Sequence, residues 1–232
     1  MSLFANIKGR MAIQKQSNGD VEGAKALYAE AIAKGLNNPR YLLAYSILLL
    51  RNGEYDAAKA VLVKTQKLGG LSDEQKGQIY VNYAVCCFKL GDMARALELL
   101  EKQYTRKPNG LLYETLGYLY VEAGDFEKAL SFNTEAVEYD DDDAICVDNL
   151  AQAYYRLEGG DRYKAKEYFD KAYALKPGQI DTLYFLALYD IEDGKPDDAL
   201  EKLNTALEGR FSPLNFASRE KVEGLIETVK GQ

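Results

Sequence analysis

Histidine and tryptophan are absent from this chain of 232 residues, cysteine occurs three times and proline five. Without histidine, the commonest general base and the commonest metal ligand are both missing. The three cysteines, Cys86, Cys87 and Cys146, are an odd number with no metal-type spacing. Cys86 and Cys87 cannot point the same way on a helix, and all three read as reduced thiols serving as small core residues. No apolar run approaches the ~20 residues of a membrane helix, and the densest, from Tyr41, stops at Arg51. The opening stretch "MSLFANIKGRMAIQKQ" lacks an apolar core of signal-peptide length, and Ser2 stands where N-myristoylation requires glycine. Basic charge is also short: Lys and Arg number 29 against 36 Asp and Glu, a formal net charge of −7. A nucleic-acid binder needs the opposite balance.

The other chemical signatures fail on inspection. "EYDDDDA" (Glu138 to Ala144) lacks the glycine and glutamate that a calcium loop places at its sixth and twelfth positions. "LGGLS" and "EGGDR" lack the lysine and spacing of a phosphate-binding loop. The expectation is a cytoplasmic protein that is not an enzyme, with no cofactor and no metal site, that neither binds nucleic acid nor inserts into a membrane.

What is present is a period. The dipeptides Gly19-Asp20, Gly53-Glu54, Gly91-Asp92, Gly124-Asp125, Gly160-Asp161 and Gly194-Lys195 recur at intervals of 33 to 38 residues. Five residues after each glycine stands an alanine: Ala24, Ala58, Ala96, Ala129, Ala165 and Ala199. Four residues beyond each alanine the side chain is large and usually apolar; Asn133 is the exception, with Phe132 beside it expected to take over the contact. Upstream of each glycine a small residue recurs at Ala12, Ser46, Ala84, Gly117, Ala151 and Ala187. This is the pattern of a helical hairpin, with glycine ending the first helix and small residues letting the two helices approach.

A period near 34 with these places filled resembles the tetratricopeptide repeat family. Tyr113, Leu116, Gly117 and Tyr120 match its first-helix motif, and Ala165, Phe169, Ala172 and Pro177 its second helix and closing proline. The resemblance implies an all-α, right-handed superhelical solenoid of about six hairpins. Expected repeats span residues 5–38, 39–72, 73–109, 110–143, 144–179 and 180–211 of an array over 1–211, followed by a capping helix in 212–232. Ser212-Pro213 reads as its cap-then-proline start, and Val222, Leu225, Ile226 and Val229 as its apolar stripe. Ser72 with Gln75 reads as a capping box, and "RLEGGD" widens the fifth turn. Lys8 and Lys15 stand where the first hairpin needs large apolar residues, so its first helix must pack differently.

In such a solenoid the first helices line the concave side. "YLLAYSILLL" (Tyr41 to Leu50) is then apolar because most of it faces its own second helix or a neighbouring hairpin. Leu43, Ile47 and Leu50 remain to line the groove, joined by Val81, Val85 and Phe88 and, farther along, Tyr118, Tyr155 and Tyr184. Asn82 and Asn149 stand beside that line. The resemblance implies that amides near such places hydrogen-bond a ligand backbone, which an amide can do as donor and acceptor. The expected function is a protein-interaction scaffold holding a peptide or helix of another protein in the groove. One alternative is a homodimer formed through the strip at Ile47 and Phe88. Another is membrane-surface binding by Leu3, Phe4, Ile7 and Met11 with Lys8, Arg10 and Lys15 nearby, against the expectation that this face packs as the first helix of the array.

Overall fold

The computed structural model describes residues 3–231. Among them lie thirteen α-helices and no strand, an all-α helical repeat fold. Two compact units divide at residues 103 and 104. The first carries α1 (Leu3–Ser17), α2 (Val21–Ala33), α3 (Pro39–Arg51), α4 (Tyr55–Gln66), α5 (Asp73–Lys89) and α6 (Met93–Tyr104), whose last residue belongs to the second unit. The second carries α7 (Gly110–Ala123), α8 (Phe126–Tyr139), α9 (Ala144–Arg156), α10 (Arg162–Leu175), α11 (Ile180–Glu192), α12 (Pro196–Leu207) and α13 (Arg219–Lys230).

The Gly-Asp dipeptides do two jobs. At Gly124 the backbone turns left-handed (φ 83°), which ends α7 at no steric cost. The next residue, Asp125, accepts from the Lys128 N–H and starts α8. Asp20 and Asp92 cap α2 and α6 in the same way, each such cap contributing about 1 kcal/mol. The fifth turn differs from the sequence expectation. Gly159, not Gly160, takes the left-handed conformation (φ 91°), because the turn between α9 and α10 is longer than the others. Ser72 and Gln75 form the expected reciprocal capping box at the start of α5.

Hairpins close on the small residues. Ala24, Ala58, Ala96, Ala129, Ala165 and Ala199 are all 0% exposed, as are their opposite numbers Ala12, Ser46, Ala84, Ala151 and Ala187. Large side chains one turn on, including Leu62, Leu100, Phe169 and Leu203, are fully buried, each contributing about 2 kcal/mol of apolar burial. First helices of neighbouring hairpins also meet, α1 with α3, α3 with α5 and α7 with α9. The apolar helix α3 is explained by this stacking: Leu42, Leu48 and Leu49 are buried, and Leu48 packs in one cluster with Ala12, Leu27 and Tyr28.

Two local expectations need correction. Asn133 keeps its own motif place, fully buried, with Nδ2 donating to the Gly117 and Ala129 carbonyls. Phe132 does not replace it and instead packs among Tyr104, Tyr113 and Tyr120. The terminal helix does not begin at Ser212-Pro213. Asn215 Oδ1 accepts from the Ser212 N–H and Ser212 Oγ from the Leu214 N–H, which turns the chain locally. Three further donors from Asn215, Phe216 and Ala217 then bond the Asp181 carboxylate. With its N–H groups committed there, the segment cannot wind into a helix, and α13 starts only at Arg219, capped by Ser218. From there the expected stripe holds: Val222, Ile226 and Val229 are buried, the first two in a cluster with Leu183, Ala199 and Leu203.

Helix α1 packs by small residues, as Lys8 and Lys15 require. Ala5, Gly9 and Ala12 are buried, and a Cβ on Gly9 would lie 2.7 Å from the Tyr41 ring. Lys8 pairs with Glu30 at 2.6 Å and Lys15 with Asp20. The face formed by Leu3, Phe4, Ile7 and Met11 does not pack. These side chains are 77%, 52%, 50% and 46% exposed. The expectation that this face packs as core is not met among the described residues.

Candidate functional site

The candidate residues of the first unit lie on α3 and α5. Leu43, Leu50, Val81 and Val85 are buried where these helices meet their neighbours, while Ile47 and Phe88 stay partly exposed. Asn82, on α5, is 6% exposed. Its Oδ1 accepts from Gln78 Nε2 at 2.8 Å, and its Nδ2 finds no acceptor. A buried amide donor without an acceptor costs about 1–3 kcal/mol, so this one stands out. Cys86 and Cys87 on the same helix are buried and unpaired. Burial pushes the Cys86 thiol up to about 12 and raises Cys87, which keeps both protonated and inert as nucleophiles.

Asn149 occupies the place in α9 that Asn82 occupies in α5, two residues before the small residue. Its Nδ2 donates to the Glu114 carbonyl of α7 at 2.8 Å. The matching carbonyl for Asn82 is that of Leu43, and Ser46 Oγ already donates to it at 2.8 Å. Gly117, the counterpart of Ser46, has no hydroxyl, so the Glu114 carbonyl is left for Asn149. One amide is thus satisfied inside the fold and the other is not.

In the second unit Tyr118 and Asn149 are buried, and Tyr155 and Tyr184 are partly exposed. The same face carries a polar network that the sequence reading gave no role. Asp148 Oδ1 accepts from Thr182 Oγ1 at 2.6 Å and Oδ2 from Gln152 Nε2 at 2.7 Å. Arg156 donates to Gln152 at 2.9 Å and to Glu122 at 2.6 Å. Asp181 is bonded by the segment before α13, and Arg156 lies 4.0 Å over the Phe216 ring. Burial raises the carboxyls of both Asp148 and Asp181, with mutual repulsion adding to it at Asp148. Burial, then the neighbouring Asp143, raises Glu114 to about 7. The signal in the sequence was Asp148 itself, a carboxylate in a line of apolar places. Nothing in the sequence linked Asp181 to residues 215–217.

Among the described residues no group of three or more Cys, Asp or Glu side chains is arranged to hold a metal ion, and no helix is long and apolar enough to cross a membrane. Stacked helical hairpins of this kind make a repeat protein. Sequence profiles described as tetratricopeptide repeat match residues 10–62 and 48–110, and a second such profile matches 112–143. The chain belongs to the tetratricopeptide repeat family.

Among curated relatives, the TPR repeat-containing protein YpiA of Bacillus subtilis is 27% identical over 172 residues, 74% of this chain and 40% of that protein. Cellulose synthase operon protein C of Pseudomonas fluorescens is 28% identical over 182 residues, 74% of this chain and 14% of that protein. The chain therefore spans well under half the length of these two relatives. Among solved structures, a tetratricopeptide repeat protein from Parabacteroides merdae superposes with a TM-score of 0.80 at 12% identity, covering 99% of this chain and 85% of that one. A thermophilic TPR protein of Thermus thermophilus gives 0.65 at 21% identity, covering 84% of this chain and all (100%) of that one.

Proposed function

We propose that the protein is a non-enzymatic interaction scaffold, and that a peptide or helix of another protein is held on the α3–α5 face around Ile47, Asn82 and Phe88. The observation that carries this reading is the spare, buried Asn82 donor on α5, a helix that with α3 also carries the partly exposed Phe88 and Ile47. A ligand carbonyl reaching Asn82 Nδ2 would satisfy it, while Ile47 and Phe88 supply apolar contact on the same two helices. The second unit supports the assignment by contrast. Its equivalent amide is used internally, and its acidic groups are bonded by its own side chains and by residues 215–217. Three buried, unpaired cysteines suit a reducing, cytoplasmic setting.

The test is affinity purification of the full chain from its native cells, followed by calorimetry with the recovered partner. Ile47→Glu, Phe88→Glu and Asn82→Ala are each expected to weaken that binding at least tenfold while the protein stays folded. Unchanged affinity in all three folded variants places the partner elsewhere and rejects this face.

A further inference from the structure

Helices α3 and α5 meet in the first unit as α7 and α9 meet in the second, and their equivalent places count from the small residues Ser46, Ala84, Gly117 and Ala151. Five residues past the small residue stand Glu122 in α7 and Arg156 in α9, which form an ion pair at 2.6 Å. Two residues before it, Asn149 of α9 donates to the Glu114 carbonyl of α7 at 2.8 Å. Helix α7 thus supplies two acceptors to α9, a carboxylate and a carbonyl. In α3 both are withdrawn. Arg51 stands at the Glu122 place, and the Leu43 carbonyl already accepts from Ser46 Oγ. The donors they would meet on α5 are still present, Lys89 at the Arg156 place and Asn82 at the Asn149 place.

The two helices therefore present donors and cations without an anion of their own. Helix α3 contains no Asp or Glu, and α5 only Asp73 and Glu74 in its first turn, Asp73 pairing with Lys76. Arg51 is exposed, and no ion pair or hydrogen bond holds its guanidinium among the described residues. Arg156, Arg162 and Arg219 of the second unit each pair with a glutamate instead. Ile47 and Arg51, four residues apart, share one face of α3. Lys89 lies over the Phe88 ring, 5.1 Å from its centre. Positive charge thus stands directly beside both partly exposed apolar side chains.

Resting on the assignment of α3–α5 as the binding face, we propose that its ligand is an acidic–apolar peptide segment. An Asp or Glu side chain of the ligand bonds Arg51 and Lys89, a backbone carbonyl meets Asn82 Nδ2, and a large apolar residue lies on Ile47 and Phe88. The ligand replaces the two acceptors that α7 gives to α9. A carboxylate side chain is the fitting anion, because the carboxylate of Glu122 fills that place in the second unit, and its bonds to a guanidinium and an ammonium are charge-assisted. Asn82 and Lys89 are seven residues apart, about 10 Å along the helix. In an extended segment the carbonyl and the carboxylate then come from residues about three apart. A long polyanion such as nucleic acid is repelled by the net charge of −7, whereas a short segment with one acidic group beside an apolar one is not.

Selection of short random peptides, displayed on phage, against the immobilised full chain tests this. Each peptide is fused to the coat protein at its C-terminus, so the carboxylates on offer are side chains. The expected result is enrichment of peptides with Asp or Glu within about three residues of a large apolar residue. Against the double variant Arg51→Glu, Lys89→Glu the enrichment is expected to shift from acidic to basic peptides. Arg106→Glu with Lys107→Glu, an equal change of charge in the exposed loop before α7, is expected to leave it acidic. A recovered peptide remade with its acidic residue replaced by the amide is expected to bind about tenfold more weakly in fluorescence anisotropy. Where the reversed variant is misfolded by circular dichroism, Arg51→Gln with Lys89→Gln is expected to abolish the acidic preference. No enrichment, enrichment without acidic residues, or an acidic preference unchanged in the Arg51 and Lys89 variants overturns the proposal. If non-acidic peptides still lose affinity in Ile47→Glu and Asn82→Ala, only the acidic chemistry fails and the face stands. Peptides indifferent to those two variants reject the face itself.

Discussion

Asn133 and Gly117 fit one another as a pair. The amide of Asn133 donates to the Gly117 carbonyl at 3.2 Å, and its Oδ1 lies 2.2 Å from where a Cβ on residue 117 would stand. In the other five hairpins an alanine or serine occupies the Gly117 place. The polar side chain is tolerated in the core because the residue opposite has no side chain at all.

Gly117→Ala is expected to destabilise the protein by about 1–3 kcal/mol through overpacking. Adding Asn133→Leu, which restores the alanine–leucine pairing seen at Ala84 and Leu100, is expected to recover part of that loss. Chemical denaturation of the two single variants and the double variant gives the coupling energy. Additive effects would mean the two residues do not constrain each other.

Leu49 is 1% exposed, whereas Ile47, two residues earlier, is partly exposed. Leu49→Glu places an unpaired carboxylate in the core and is expected to cost several kcal/mol, about the whole margin of a typical domain. Ile47→Glu and Phe88→Glu are expected to cost about 1 kcal/mol or less, as surface changes do. Thermal melting of the three variants separates face from core. Equal losses in all three would show that Ile47 and Phe88 are core.

The Asp181 carboxylate holds the chain before α13 through bonds of 2.9, 3.1 and 3.2 Å from Ala217 N, Phe216 N and Asn215 Nδ2. Asp181→Ala leaves those donors without their acceptor and is expected to cost about 3–5 kcal/mol. Hydrogen exchange is the informative measurement. Protection is expected to fall first at residues 216 and 217 and through α13, before the rest of the second unit. Uniform loss, or none, would mean the carboxylate does not anchor this segment.

Glu114 gives a pH dependence of definite sign. Burial and Asp143 raise its folded-state value to about 7 from 4.5, opposed only in part by Lys176. Between those values the folded chain binds more protons than the unfolded one, so this group's contribution to stability falls as pH rises from about 4.5 to about 7. Glu114→Gln is expected to flatten that part of the stability profile and to stabilise the protein at pH 8. A profile of unchanged slope in the variant would assign the effect to other groups.

The hairpin plan was legible in the sequence because its determinants are local. Glycine ends a helix and aspartate starts the next within two residues, and the paired small residues of a hairpin lie only about twelve residues apart, as Ala12 and Ala24 do. Propensity, capping and close approach act over that distance, so the period and most helix boundaries follow from the residue types, the fifth turn and the start of α13 excepted.

Tertiary structure decided which faces remain open. Leu43 and Val81 carry the same apolar character as Ile47 and Phe88, yet the first two are buried and the last two are not. The rotation of one hairpin on the next sets that difference, and it comes from summed packing rather than from any single residue. Asp181 meets Phe216 across 35 residues through a carboxylate and backbone N–H groups, and backbone donors leave no trace in a sequence pattern. Helix α1 carries apolar residues of the same kind, yet Ile7 and Met11 are about half exposed among the described residues. Composition determines that a face is apolar, and the presence of a neighbour in space determines whether that face is core or surface.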